Sequence, residues 1–200
     1  ARSRIGRYVR PMPPSESLRR AGDGFRSLAV QVEPEQWSLP TPCDGWSVRE
    51  LVGHVAAGSQ MAAVLADGGT RNDAIATLGV DHLGDDPLAA LTDALDRQAV
   101  ALDRDGVDTQ VFQHPAGDMP GSQVVAFRLG DLVAHQWDLA HAIGADETLD
   151  RGLVEEVWAA IQPMLPMMGA VGVFGDGPSG SLTDDAPLQE RLLDAMGRRP

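Results

Sequence analysis

Residues 127–144 read FRLGDLVAHQWDLAHAIG, an apolar run with an acid and an imidazole set into the side that a helix would bury. At about 100° per helical residue, Asp131 and His135 point roughly 40° apart. Asp138 lies just beyond Asp131, on the arc shared with Val124, Phe127 and Ala142. The polar groups therefore sit on the core face. An ionised carboxylate is costly to bury alone, so Asp131 requires either a bound cation or a tight hydrogen-bond network. The pattern favours the cation. Asp131 and His135, joined by a second core-facing histidine, His54, form a donor set that a divalent metal accepts, whereas a network must satisfy each group separately. Asp138 is expected to hold an imidazole in position or to pin a neighbouring loop.

Working outward, Ser47 with Glu50 three residues on is a capping box that starts a helix at about Val48. Its apolar arc of Leu51, Val55, Gly58, Met61, Ala62 and Leu65 centres close to His54, and Asp67-Gly68-Gly69 ends it. An earlier helix is expected from about Ser15, carrying Leu18, Phe25, Leu28, Ala29 and Val32 and ending at Pro34, with a loop over residues 38–45. Residues 70–86 read as loop with one short helical turn around 73–78. Pro87 opens a helix with Leu88, Leu91, Leu95, Ala99 and Leu102, stopping near Gly106. Val107, Thr109, Val111 and Phe112 suggest a brief extended segment before a Pro/Gly turn. The helix over 123–143 follows, with Gly144 as its left-handed end residue. Asp150 caps a further helix that runs to Pro163 and Pro166. Residues 169–186 read as Gly/Ser/Asp-rich loop, and 187–196 as a last short helix. The pattern predicts an all-α four-helix bundle with a short final helix and at most a minor β segment, an architecture that places metal sites between facing helices.

Composition narrows the function. At 200 residues and 43% hydrophobic content, the expectation is one domain over 12–200. Residues 1–11 are basic but lack an apolar h-region, so they read as a disordered extension or an expression scar ahead of Met12. A formal charge of −13, with 16 scattered arginines and no lysine, argues against a nucleic-acid partner. The lone Cys43 forms no internal disulfide, and no apolar run reaches the roughly 18 residues that span a bilayer, so a cytoplasmic location is expected. Dinucleotide, Walker, nucleophile-elbow and Cys-x-x-Cys motifs are absent. His82, His114 and His141 fall in loops or off the metal arc and are not expected as ligands, although His114 is placed to approach a cleft. Cys43 reads as small packing rather than a nucleophile. Trp37, Trp46, Trp137 and Trp158 read as core or pocket wall. Trp158 with residues 164–168 offers a face for a homodimer.

Three pieces of sequence carry a family resemblance: TPCDGWSVRELVGHV at 41–55, DLVAHQWDLAHAIG at 131–144, and DDAPLQERLLDAMGRRP at 184–200. The first two resemble the DinB-like helical bundles, in the branch related to the N-terminal domain of mycothiol-dependent maleylpyruvate isomerase. The third resembles the end of a small metal-binding subgroup of that superfamily. The likeness implies His54, Asp131 and His135 as metal ligands, with Asp131 standing where the isomerase has glutamate. It also implies a divalent metal, zinc first, although two histidines and a carboxylate suit iron, nickel or manganese as well. The expected chemistry is activation of a mycothiol-type thiol or of water for transfer or isomerisation of a small molecule. Arg49, Arg97 and Arg128 are candidates to hold an anionic substrate. The alternatives are a non-catalytic metal- or ligand-binding helical module and a biosynthetic enzyme with changed chemistry on the same bundle.

Overall fold

The structure, a computed structural model, describes residues 14–165 and 177–200. The expectations for residues 1–11 and for residues 166–176, including residues 166–168 of the dimer face, lie outside those residues. Four helices form the bundle: α1 (Pro14–Ala29), α2 (Val48–Ala66), α4 (Pro87–Leu102) and α5 (Gly121–Ile143), with the short α3 (Arg71–Ala76) between the second and third. Helix α2 packs on α4 and α5, and α1 packs on α5 and α4, which closes the ring. Two further helices, α6 (Arg151–Ile161) and α7 (Leu188–Ala195), pack on each other, and α6 lies against α5. This is the DinB-like all-α bundle.

Local chemistry sets the ends of these helices. The Ser47 side chain accepts from the Glu50 amide while Glu50 reaches back to the Ser47 amide at 2.7 Å, so α2 starts at Val48 as its capping box requires. Thr70 and Asp73 repeat the device for α3. Asp86 and Asp150 cap α4 and α6, and Gly144 takes φ 69° at the end of α5. Side chains of α5 are buried nearly all round, because α1 and α2 cover one side and α6 the other.

Two expectations change. Residues Pro34–Ser38 form a 3-10 turn, held by reciprocal bonds between Glu33 and Gln36, where the sequence suggested only a chain break at Pro34. The extended segment is a hairpin of β1 (Val111–His114) and β2 (Gly117–Pro120), with Phe112 opposite Met119. Its second strand, GDMP, carries no β-branched residue, so pairing rather than propensity makes it a strand. Phe112 and Met119 bury the inner face of the hairpin. Arg71 ties its outside to α3, through the His114 carbonyl at 3.1 Å and Asp118 at 2.6 Å.

Candidate metal site

Helix α2 brings His54, and α5 brings Asp131 and His135, to one point. The Nε2 atoms of His54 and His135 each lie 3.2 Å from the same oxygen, Oδ1 of Asp131. The two imidazoles meet edge to face, with centroids 5.0 Å apart. Trp46, just ahead of α2, covers them at 4.7 Å from His54 and 6.0 Å from His135. That tryptophan is a wall of the site, as one of its two expected roles required. His54 keeps 36% and Asp131 25% of its side chain exposed, so the convergence point faces solvent on one side.

Each of these side chains is oriented from behind. Oδ2 of Asp131 accepts from the Arg128 guanidinium at 2.6 Å, one helical turn away. Arg128 is buried and also donates to Gln98 (2.8 Å), Ser59 (3.2 Å) and the Val55 carbonyl (3.2 Å). It fits only because residue 58 is glycine: a Cβ there would overlap the guanidinium and stand 2.8 Å from its Cζ. Arg128 is thus fully engaged in fastening Asp131, not extended toward a substrate. The other two candidates lie elsewhere, Arg49 bonded to Asp81 and the Gly84 carbonyl, and Arg97 to Gln60 and Asp67.

On the far side of His135, Nδ1 lies 2.8 Å from Oδ2 of Asp138, a carboxylate with no exposed surface. Asp138 therefore fixes the ring, the role expected of it. Cys43 adds a thiol 3.3 Å from the same Asp138 oxygen and 3.8 Å from His135 Nδ1. Arg198, from the segment after α7, clamps Asp138 with Nε at 3.1 Å and a terminal nitrogen at 2.6 Å. Neither Cys43 nor Arg198 was read from the sequence as part of this cluster. The only signal for Arg198 was its place within the third family-like piece.

The ionisation states follow from these contacts. Burial opposes charge on Asp131, yet His135 and Arg128 outweigh it and hold the carboxyl well below its usual range. Burial likewise disfavours a charged His135, but Asp131 and the bonds to Asp131, Asp138 and Cys43 raise it well above the ordinary histidine value. Asp138 is also lowered, burial being outweighed by bonds to His135 and Arg198. If Nδ1 of His135 donates to Asp138, a neutral ring turns the lone pair of Nε2 onto a lone pair of Asp131. Something positive must stand between them, either a proton or an ion.

Among the described residues two donor groups have metal-ligand spacing, each with its donor atoms within 4.8 Å of one another: His54, Asp131 and His135, and Cys43, His135 and Asp138. His82, His114 and His141 belong to neither. His82 bonds the Thr77 carbonyl at 2.5 Å, His141 pairs with Glu147 at 2.8 Å, and His114 accepts from the Ala116 amide at 3.1 Å. Among the described residues no helix is long and apolar enough to cross a membrane.

Comparison with known proteins agrees with the fold. Two uncharacterized proteins of Mycobacterium tuberculosis, from strains CDC 1551 / Oshkosh and H37Rv, are each 30% identical over 179 residues, covering 88% of this chain and 89% of theirs. Two crystal structures of mycothiol-dependent maleylpyruvate isomerase, one of a histidine-to-alanine mutant, share the fold with TM-scores of 0.58 and 0.55. Both are 18% identical, over 75% of this chain and 70% of theirs. The family described as mycothiol maleylpyruvate isomerase N-terminal domain matches residues 18–140, a span that includes His54, Asp131 and His135, and the chain belongs to that family.

Proposed function

We propose that the protein is a metal-dependent enzyme in which His54, Asp131 and His135 hold one divalent ion, zinc by first preference, and act on a small molecule with the help of a mycothiol-type thiol or water. The carrying observation is the convergence of two imidazole Nε2 atoms on a single carboxylate oxygen at 3.2 Å. The donor set fits the ion: two nitrogens and one anionic oxygen suit zinc, and equally iron, nickel or manganese. A divalent ion at that point supplies positive charge that lowers the pKa of a thiol or water brought against it.

The chain's own residues prepare the site. Arg128 occupies Oδ2 of Asp131, which leaves Oδ1, faced by the two imidazole nitrogens, as the oxygen that would meet the ion. Asp138 fixes the ring of His135 so that Nε2 faces the convergence point. With three protein donors and partial exposure, room remains for an exogenous ligand, and Trp46 shields one flank from water. The solved relatives are mycothiol-dependent maleylpyruvate isomerases, which supports a thiol cofactor and a transfer or isomerisation reaction here.

The test is elemental analysis of protein purified near neutral pH without chelator. One equivalent of metal per chain is expected, falling to background in His54→Ala. Addition of mycothiol to the cobalt-loaded protein should produce a thiolate-to-cobalt absorption band. A rival reading has its own observation: within the cluster every donor already faces a protein partner, so the network could serve structure alone. Metal-free wild-type protein with unchanged folding would establish that rival.

A further inference from the structure

The second donor group, Cys43, His135 and Asp138, is not open in the way the first is. A terminal nitrogen of Arg198 lies 2.6 Å from Oδ2 of Asp138, 3.4 Å from Nδ1 of His135 and 3.7 Å from Sγ of Cys43. One cationic nitrogen thus approaches all three donor atoms of a group that has metal-ligand spacing. We infer that Arg198 is the resident cation of this cluster and a positioning residue for His135, so that the ion of the proposed function, on which this inference rests, is directed to the Nε2 side of the ring.

The backbone delivers Arg198 there deliberately. Helix α7 ends in a Schellman motif: the Gly197 amide donates to the Asp194 carbonyl at 3.0 Å and the Arg198 amide to the Leu193 carbonyl at 2.9 Å. Gly197 has φ 80°, a conformation that residues with a Cβ resist. Its reversal turns residue 198 back over α5, where Arg198 meets Asp138 with two nitrogens and the Met196 carbonyl with the third, at 2.7 Å. Two-point binding fixes the plane of the carboxylate, and the carboxylate fixes the imidazole. A lysine could supply the charge but not the two-point geometry.

The experiment compares wild-type protein with Arg198→Ala, Arg198→Lys and Arg199→Ala, using zinc and cobalt alone as probes in competition with a chromophoric chelator. Wild type should bind one equivalent, and its cobalt form should lack a thiolate charge-transfer band, because Cys43 faces Arg198 rather than the ion. Arg198→Ala should bind about tenfold or more weakly, the usual effect of losing an outer partner of a ligand histidine. Arg198→Lys should recover part of that loss, and Arg199→Ala should bind as wild type. A readout independent of metal is the ring-nitrogen spectrum of His135 in metal-free protein. A protected Nδ1 proton is expected in wild type and should be lost in Arg198→Ala with the thermal transition retained. Unchanged affinity or an unchanged Nδ1 proton in Arg198→Ala, or a thiolate band in wild type, would overturn the inference. A wild type that binds no metal removes the proposed function instead, while the ring proton still decides whether Arg198 positions His135.

Discussion

Asp131 and Asp138 stand two turns apart on the same helix, and each is fastened by an arginine, but the two arginines come from very different distances along the chain. Arg128 lies three residues before Asp131, on α5 itself, whereas Arg198 reaches Asp138 from sixty residues further on. The first pair is half open, with Asp131 retaining a quarter of its side-chain exposure, while Asp138 has none. The contrast separates two tasks. The local pair presents one carboxylate oxygen to the two imidazole nitrogens at a partly exposed point, and the remote pair locks the ring of the shared histidine from within.

The largest expected effect comes from breaking the local pair. Asp131→Ala removes a proposed metal donor and leaves the buried Arg128 without its carboxylate, a change that costs roughly 3–5 kcal/mol. Urea unfolding of metal-free protein measures the stability loss, and elemental analysis the loss of metal. If Asp131→Ala unfolds as readily as Asp138→Ala but no more so, the distinction between the pairs is one of exposure alone.

Next in size is Gly58→Ala. Its methyl group takes the space of the Arg128 guanidinium, so the arginine must leave its bonds to Asp131, Gln98 and Ser59. A cost of about 1–3 kcal/mol is expected from overpacking, read from the urea midpoint. The same substitution should leave the Asp138–Arg198 side intact, which the Nδ1 proton of His135 reports.

A smaller effect is expected at Arg199, whose guanidinium is half exposed and pairs with Asp194 at 3.3 Å. Arg199→Ala should cost at most about 1 kcal/mol, in line with other solvent-exposed pairs, and the loss should shrink at high salt. A larger loss would mean that the segment carrying Arg198 depends on its neighbour for docking.

The smallest effect is a titration. The value of His114 lies below the usual 6.5, first through burial and then through the positive charges of Arg128 and Arg71. A histidine depressed in the folded state takes up its proton more readily when unfolded. Its contribution is therefore present above about 6.5 and lost as pH falls through the lowered folded value. The ring resonances of His114 should titrate below 6.5, and Arg71→Ala should move the midpoint upward. No movement in Arg71→Ala would leave burial and Arg128 as the whole cause.

Much of this arrangement was legible in the chain. Local rules placed the capped starts of α2, α4 and α6, because Ser47, Asp86 and Asp150 act within three residues of themselves. Helical periodicity put Asp131 and His135 on one face and turned His54 toward the core from the earlier helix, and the resemblance named the same three residues. Strand β2 was not legible, since GDMP becomes a strand only by pairing with Val111–His114. The second layer of the cluster was missed for the same reason. From the chain alone Cys43 reads as packing and Arg198 as one basic residue among sixteen, because only the tertiary fold brings Cys43 and the segment after α7 to Asp138 on α5.

The sequence by itself determined the helices, their caps, the family and the face on which two of the candidate ligands stand, because those depend on bonds and periodicities spanning a few residues. Tertiary structure alone decided that the oxygens of Asp131 are divided between Arg128 and two imidazoles, and that Arg198 stands on the other side of His135. Ångström-scale approach between distant segments is set by how the bundle packs, and packing is a property of all the helices together.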